Sequence, residues 1–170
     1  MVSHEAKHTI SVLVENEFGV LTRVAGLFSG RGFNIESLSV APTLDDSISR
    51  MTIVTSGDDR ILEQITKQLN KLIDTIKVVD FTDSEYVERE LALIKVQATE
   101  DTRAEILRIV DIFRGNVVDV TARSYTMEIT GAPSKIQAVV DLLKPIGIQE
   151  LVRSGPVVLG RGAKGVSDKG

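Results

Sequence analysis

One pattern of apolar residues occurs twice along this chain of 170 residues. In the first half, an alternating strand at 8–15 precedes a helix whose apolar residues recur three and four positions apart. Two extended segments, a second helix and a short strand at 77–81 follow. The same order returns between residues 91 and 152. This duplication predicts two β-α-β-β-α-β units and excludes most other architectures.

Particular residues support the duplication. Phe28-Ser-Gly30 recurs as Phe113-Arg-Gly115, and Thr55-Ser-Gly57 recurs as Ile129-Thr-Gly131. Helix ends are also marked. Gly30 and Gly32 are predicted to end the first helix. Asp58 is predicted to cap the second helix, and Pro133 to open the last.

The predicted fold class is α+β, with two tandem ferredoxin-like domains. Each is an antiparallel four-stranded sheet with its helices on one face. We expect a loose leader at 1–7, a first domain at 8–82, a second at 83–155 and a flexible, Gly-rich basic tail at 156–170. The other sheet face and the sheet edges are predicted to be open, which favours pairing of domains.

Charge and composition exclude several classes of protein. The net charge is −4, and four basic residues lie between 153 and 170 with one acidic residue, so the rest is more acidic still. Such a body does not suit general nucleic-acid binding. No apolar run approaches the length of a membrane span. The chain has no cysteine, which excludes disulfides and thiolate metal sites.

Catalytic and metal-binding patterns are missing from the sequence. The two histidines, His4 and His8, lie near the start and are interpreted as ordinary surface residues. No clustered ligands have the spacing of a metal site. The Gly-rich stretches do not match a phosphate-binding loop. We therefore predict no catalytic residue and no metal site.

The turn between the first strand and the first helix is the candidate binding site. A helix N-terminus attracts a carboxylate, and Gly19 allows a ligand to approach the backbone closely. The Asn16 amide offers both a donor and an acceptor. Val20 and Leu21 are placed to line an aliphatic side chain. The alternative is that Asn16 and Gly19 only form a tight turn.

A family resemblance bears on that alternative. Residues 10–28 resemble the opening of an ACT domain, an amino-acid-binding regulatory module. The run Arg31-Gly-Phe-Asn-Ile-Glu-Ser-Leu38 is more specific. With it, the chain closely resembles the small regulatory subunits of acetohydroxyacid (acetolactate) synthases from about residue 8 to 161. Further matches lie at 40–43, 49–52, 87–91, 112–115, 118–121 and 153–155.

The resemblance implies a non-catalytic subunit for branched-chain amino acid biosynthesis. Its partner, the catalytic subunit, holds thiamine diphosphate, Mg2+ and FAD, and this chain holds none of them. The small subunit activates that partner and confers feedback inhibition by valine, or in some members by leucine or isoleucine. ACT domains of two chains pair as a homodimer with the effector at their interface. The implied site is Asn16, Gly19, Val20 and Leu21 of one chain with Asn34 and Ile35 of the other.

Some points stay open at this stage. Phe18 is bulkier than many residues at that turn, which leaves the preferred amino acid undecided. The second repeat has Thr99–Arg103 at the equivalent turn and lacks both the Asn and the Gly, which favours docking or dimer support. The expected location is the cytoplasm, with a plastid as an alternative. Two alternative hypotheses for the function are a stand-alone amino-acid sensor that acts on a different partner and a small ferredoxin-like enzyme.

Overall fold

Two antiparallel sheets, each with two helices, are built by residues 6–162, the residues that the computed structural model describes. The predicted α+β class with two βαββαβ units is confirmed. The N-terminal unit holds the described residues up to Val87 and from Val158 onward, and the C-terminal unit holds residues 88–157. The division falls five residues beyond the predicted one, because the Tyr86 ring packs on Phe81 with centroids 5.6 Å apart.

The N-terminal unit has the strand order β2-β3-β1-β4. Its core is apolar and aliphatic, with Phe28 as its one fully buried aromatic ring among the described residues. Alternate residues of β1 and β3 face the buried sides of the two helices, as the sequence pattern predicts. The elements are β1 (Ala6–Glu15), α1 (Val20–Gly30), β2 (Ile35–Pro42), β3 (Ile48–Gly57), α2 (Asp59–Lys71) and β4 (Thr75–Asp80).

The predicted helix ends of this unit are confirmed. The Asp58 side chain accepts a hydrogen bond from the Ile61 N–H at 3.0 Å and so caps α2. Helix α1 ends at Gly30, and Gly32 has a φ of 71°, a conformation that favours glycine.

The C-terminal unit repeats this topology with the strand order β6-β7-β5-β8. Pro133 opens its last helix, as predicted. The Glu90 carboxylate on β5 is buried and accepts two hydrogen bonds from Arg153 on β8. The elements are β5 (Tyr86–Gln97), α3 (Arg103–Ile112), β6 (Asn116–Val120), β7 (Ser124–Gly131), α4 (Pro133–Leu143) and β8 (Ile148–Arg153).

The tail is ordered where the sequence predicts flexibility. Residues of the predicted tail at 156–170 form a ninth strand, β9 (Val157–Gly160), and residues 163–170 lie outside the described residues. Val158 is buried against Leu13 and Phe81, and its carbonyl accepts a hydrogen bond from Arg50 at 2.9 Å. The outer face of the N-terminal sheet is therefore covered at Leu13, and the prediction of an open face is wrong there.

The N-terminal edge also differs from the prediction. Strand β1 begins at Ala6, two residues inside the predicted leader, while residues 1–5, including His4, lie outside the described residues. His8 is buried, so its interpretation as a surface residue is wrong. Its Nε2 donates to the Gly57 carbonyl at 3.0 Å, and its Nδ1 lies 3.0 Å from the Thr82 hydroxyl. These two polar partners satisfy both ring nitrogens, so burial of the ring leaves no polar atom unpaired.

Val158→Ala is expected to lower the free energy of unfolding by about 1.5–2.5 kcal/mol, since two buried carbons are removed and a cavity is left. Val157→Ala is the matched control, because the neighbouring Val157 side chain is half exposed. Urea unfolding followed by circular dichroism compares the two. Equal losses for both variants would contradict the packing of β9.

Candidate functional site

The turn after β1 places a helix N-terminus at the surface of the N-terminal unit. Gly19 is the N-cap of α1, with φ 84° and ψ −5°, and no side chain caps this end within the described residues. The first N–H groups of an uncapped helix point outward and favour an anion. The turn therefore leads into an exposed helix N-terminus, the feature on which the predicted carboxylate site depends.

Asn16 ties this turn to the loop between β2 and β3. Its Nδ2 donates to the Asp46 carbonyl at 2.8 Å, and its backbone N–H donates to the Ser47 carbonyl at 2.7 Å. The side chain is exposed. Among the described residues none donates to its amide oxygen, so this oxygen is available to accept from the ammonium group of an amino acid.

Arg23 is a charged residue of this region that the sequence analysis missed. Its guanidinium Nε lies 2.7 Å from the Asp74 Oδ2, and a Cβ built on Gly19 would lie 3.0 Å from the Arg23 Nη1. The hydrogen bond to Asp74, with the nearby Asp74 and Glu17 charges, holds the pKa of Arg23 above its usual value. Arg23 follows Gly19 by four positions, so side-chain direction in helices could have indicated the contact.

Val20 and Leu21 have different environments. Val20 is 3% exposed and belongs to the apolar core, so only its backbone faces the turn. Leu21 is 44% exposed. Of the two residues predicted to line an aliphatic ligand, Leu21 alone has an available side chain, because Val20, Val24 and Phe28 form the buried stripe of α1.

Asn34 and Ile35 lie at the opposite end of the sheet. The Asn34 carbonyl accepts a hydrogen bond from the Thr55 hydroxyl at 2.7 Å, and Ile35 pairs with Thr55, which pairs with His8 at the start of β1. Asn16 follows the other end of β1. The seven residue steps from His8 to Glu15 span about 23 Å at the rise of a β-strand. A single chain therefore does not bring Asn34 and Ile35 to Asn16.

In the equivalent turn of the C-terminal unit, side chains of the same unit already hydrogen-bond polar groups of the turn. The Thr99 N–H donates to the Thr102 hydroxyl at 2.9 Å, and the Arg103 guanidinium donates to the Ala122 carbonyl at 2.9 Å. These side chains occupy the polar groups of the turn. The two repeats thus share a fold but differ at this position.

Residues 6–162 hold no group of three or more His, Asp or Glu side chains arranged to bind a metal ion. None of their helices has both the length and the apolar character needed to cross a membrane.

Two family models match the chain. One describes the ACT domain found in small subunits of acetohydroxyacid synthase and matches residues 10–77, and the other describes the small subunit of acetolactate synthase and matches residues 89–162. A probable acetolactate synthase small subunit from Archaeoglobus fulgidus is 56% identical over 93% of this chain and 99% of that protein. The acetolactate synthase small subunit from Aquifex aeolicus is 56% identical over 91% of this chain and 81% of that protein.

A solved structure also matches. The acetolactate synthase small subunit from Thermotoga maritima superposes with a TM-score of 0.84 at 43% identity, over 92% of this chain and 98% of that chain.

Proposed function

Because this chain belongs to the family of acetolactate synthase small subunits, we propose that it binds valine between two copies of itself and so controls a catalytic subunit. Membership of the family makes the chain a non-catalytic regulatory subunit. The proposal adds the effector, the site and the direction of control. Valine inhibits, and the unliganded small subunit activates its partner. Leucine and isoleucine are the competing effectors.

The observation that carries the proposal is the uncapped N-terminus of α1 beside Asn16. The Val20 N–H already donates to the Glu17 carbonyl at 3.4 Å, so a zwitterionic amino acid would offer its carboxylate to the N–H groups of Leu21 and Thr22. Its ammonium group would face the Asn16 amide oxygen. The exposed Leu21 lies in the first turn of the same helix and supplies an apolar contact. Arg23 adds positive charge beside Gly19, although its bond to Asp74 already uses one of its donors.

The free edge of β2 supports a site shared by two chains. Among the described residues, strand β2 is the outer strand of its sheet and pairs with β3 alone. Two copies of β2 paired antiparallel about a twofold axis set the start of one beside the end of the other. The end of β2 leads into the 43–47 loop, which is bonded to Asn16. The partner's Asn34 and Ile35 would then come to the turn at Asn16, although one chain keeps them apart.

Control follows from the position of valine at the interface. Valine shifts the small-subunit dimer between two states only by its difference in affinity for them. Typical coupling of this kind is about 1–3 kcal/mol, or about 5- to 150-fold in affinity. We assign thiamine diphosphate, Mg2+ and FAD to the catalytic subunit, where they would supply the carbon–carbon bond chemistry.

The test uses two variants of the full chain, Asn16→Ala and Asn34→His. Each alone is expected to weaken valine binding by at least about tenfold, because a hydrogen bond to a charged group is lost. A re-equilibrated equal mixture forms half heterodimers, and each heterodimer has one site with both residues intact. Isothermal titration should then recover about a quarter of the wild-type capacity for valine.

Asn70→Ala is the matched control, since Asn70 is exposed on α2 and bonds only to the Thr66 carbonyl among the described residues. A mixture that recovers no capacity, although the two variants exchange chains, would contradict a site built from two chains. Wild-type chain that binds none of valine, leucine and isoleucine would contradict the effector role itself.

A further inference from the structure

Three loops meet at one end of the N-terminal unit. The 16–19 turn, the 43–47 loop and residues 72–74 are bonded through the end of β1: the Asn16 N–H donates to the Ser47 carbonyl at 2.7 Å, and the Glu15 N–H donates to the Asp74 carbonyl at 2.9 Å. The ion pair between Arg23 and Asp74 adds a side-chain link. The loops therefore form one connected surface, which we call the tip.

Each of these loops carries one large apolar side chain that no other described residue covers. Phe18, Leu44 and Ile73 are 102, 97 and 93% exposed, and among the described residues the next large apolar side chain, Ile112, is 66% exposed. Single exposed apolar residues are ordinary, but a group of them rimmed by polar residues marks an interaction surface. The three most exposed large apolar residues of residues 6–162 all lie at this tip.

The rim of the tip is acidic. Glu15, Glu17, Asp45 and Asp46 are exposed there. Hydrogen bonds from the Ser47 hydroxyl and N–H keep the pKa of Asp45 below its usual value, so that carboxylate stays charged. Asp74 is already paired with Arg23. An aromatic and two aliphatic anchors within a negative rim complement an apolar surface surrounded by lysine and arginine.

This charge argues against a second copy of the chain as the occupant. A twofold contact of tip on tip would set carboxylates against carboxylates. The dimer proposed above forms by pairing of β2 strands and assigns no contact to Phe18, Leu44 or Ile73. A partner with a basic surface fits the tip better.

We propose that the tip, through Phe18, Leu44 and Ile73, docks on a basic and apolar surface of the acetolactate synthase catalytic subunit. This inference rests on the proposed function for the identity of the partner. The docking residue Phe18 lies between Asn16 and Gly19 in one turn. Effector binding and docking therefore act on the same short stretch of backbone.

The experiment replaces Phe18, Leu44 and Ile73 with serine, singly and together, in the full chain. Each side chain is exposed, so the core stays intact. Each single variant is expected to raise the dissociation constant for the purified catalytic subunit by at least about tenfold, as burial of one large apolar side chain usually contributes that much. The Leu44→Ser and Ile73→Ser variants should keep the wild-type dimer in sedimentation and the wild-type affinity for valine.

Shape-conserving and charge variants make the test specific. Phe18→Leu, Leu44→Met and Ile73→Val are expected to keep binding within about threefold, since they keep the apolar surface. Glu17→Lys should slow association, and the wild-type association rate should fall as salt rises.

Unchanged affinity of the triple serine variant would overturn the docking inference while leaving the proposed function intact. Loss of the small-subunit dimer in that variant would also overturn it, since a second copy would then be the occupant. Wild-type chain that neither binds nor activates the catalytic subunit would instead refute the proposed function.

Discussion

Arg153→Met is expected to lower the free energy of unfolding by about 3–5 kcal/mol, because it leaves a buried carboxylate without its charge partner. Glu90 has a side chain that is 2% exposed, and its two oxygens accept from Arg153 at 2.6 and 3.0 Å. Methionine has a similar length but no donor. Urea unfolding at one fixed protein concentration measures the loss.

Two comparisons make this result specific. Lys95→Met removes the lysine of a second β5–β8 ion pair, with Glu150, in which both side chains are exposed, so its cost should stay below about 1 kcal/mol. The double variant Arg153→Met with Glu90→Leu should recover most of the stability, since neither charge remains buried. A loss for Arg153→Met no larger than that for Lys95→Met would show that the buried pair does not stabilise this unit.

Gly19→Val is expected to weaken valine binding by about 10- to 100-fold and to lower the free energy of unfolding by about 1–3 kcal/mol. The φ of 84° is unfavourable for a β-branched residue. The new side chain would also crowd Arg23, whose Nη1 lies 3.0 Å from the added Cβ, and would cover the N–H groups proposed to hold the carboxylate. Isothermal titration gives the affinity, and thermal unfolding gives the stability.

Gly26→Ala is the control on the same helix. A Cβ at Gly26 would meet no atom of residues 6–162 within 4 Å, so alanine should stabilise the chain by about 0.5–1 kcal/mol and leave valine affinity unchanged. If Gly19→Val binds valine as tightly as wild type, the helix N-terminus is not the carboxylate site.

Local signals in the sequence were enough to predict the elements of the two repeats. Asp58 and Pro133 mark helix starts through their own backbone and side-chain chemistry, so no distant contact is needed to interpret them. Strand β9 has no such signal. It is four residues long, and it forms through its pairing with β5 and through the contact of Val158 with Leu13, which spans most of the chain.

The residues of the candidate site also differ in whether a local signal predicts them or a distant contact places them. Gly19 and Asn16 could be predicted because a strand, a turn and a helix lie in sequence. The pairing of Arg23 with Asp74 spans 51 residues and could not be predicted from local spacing. The sequence analysis gave Val20 and Leu21 the same role, whereas the structure buries the Val20 side chain and leaves that of Leu21 partly exposed. The four-residue spacing of Val20, Val24 and Phe28 indicates that these three side chains share the buried face of α1.

The return of the chain to the N-terminal unit makes that unit discontinuous. Val158 completes a structure that begins at β1, and the whole C-terminal unit, residues 88–157, is synthesised in between. At about 5–20 residues per second, the ribosome needs about 4–14 s for those 70 residues. Leu13 and Phe81 therefore stay partly exposed until Val158 has been synthesised. The domain proposed to sense valine is consequently finished last, after the second domain has been made, so nascent chains that stop short of Val158 lack a complete sensor.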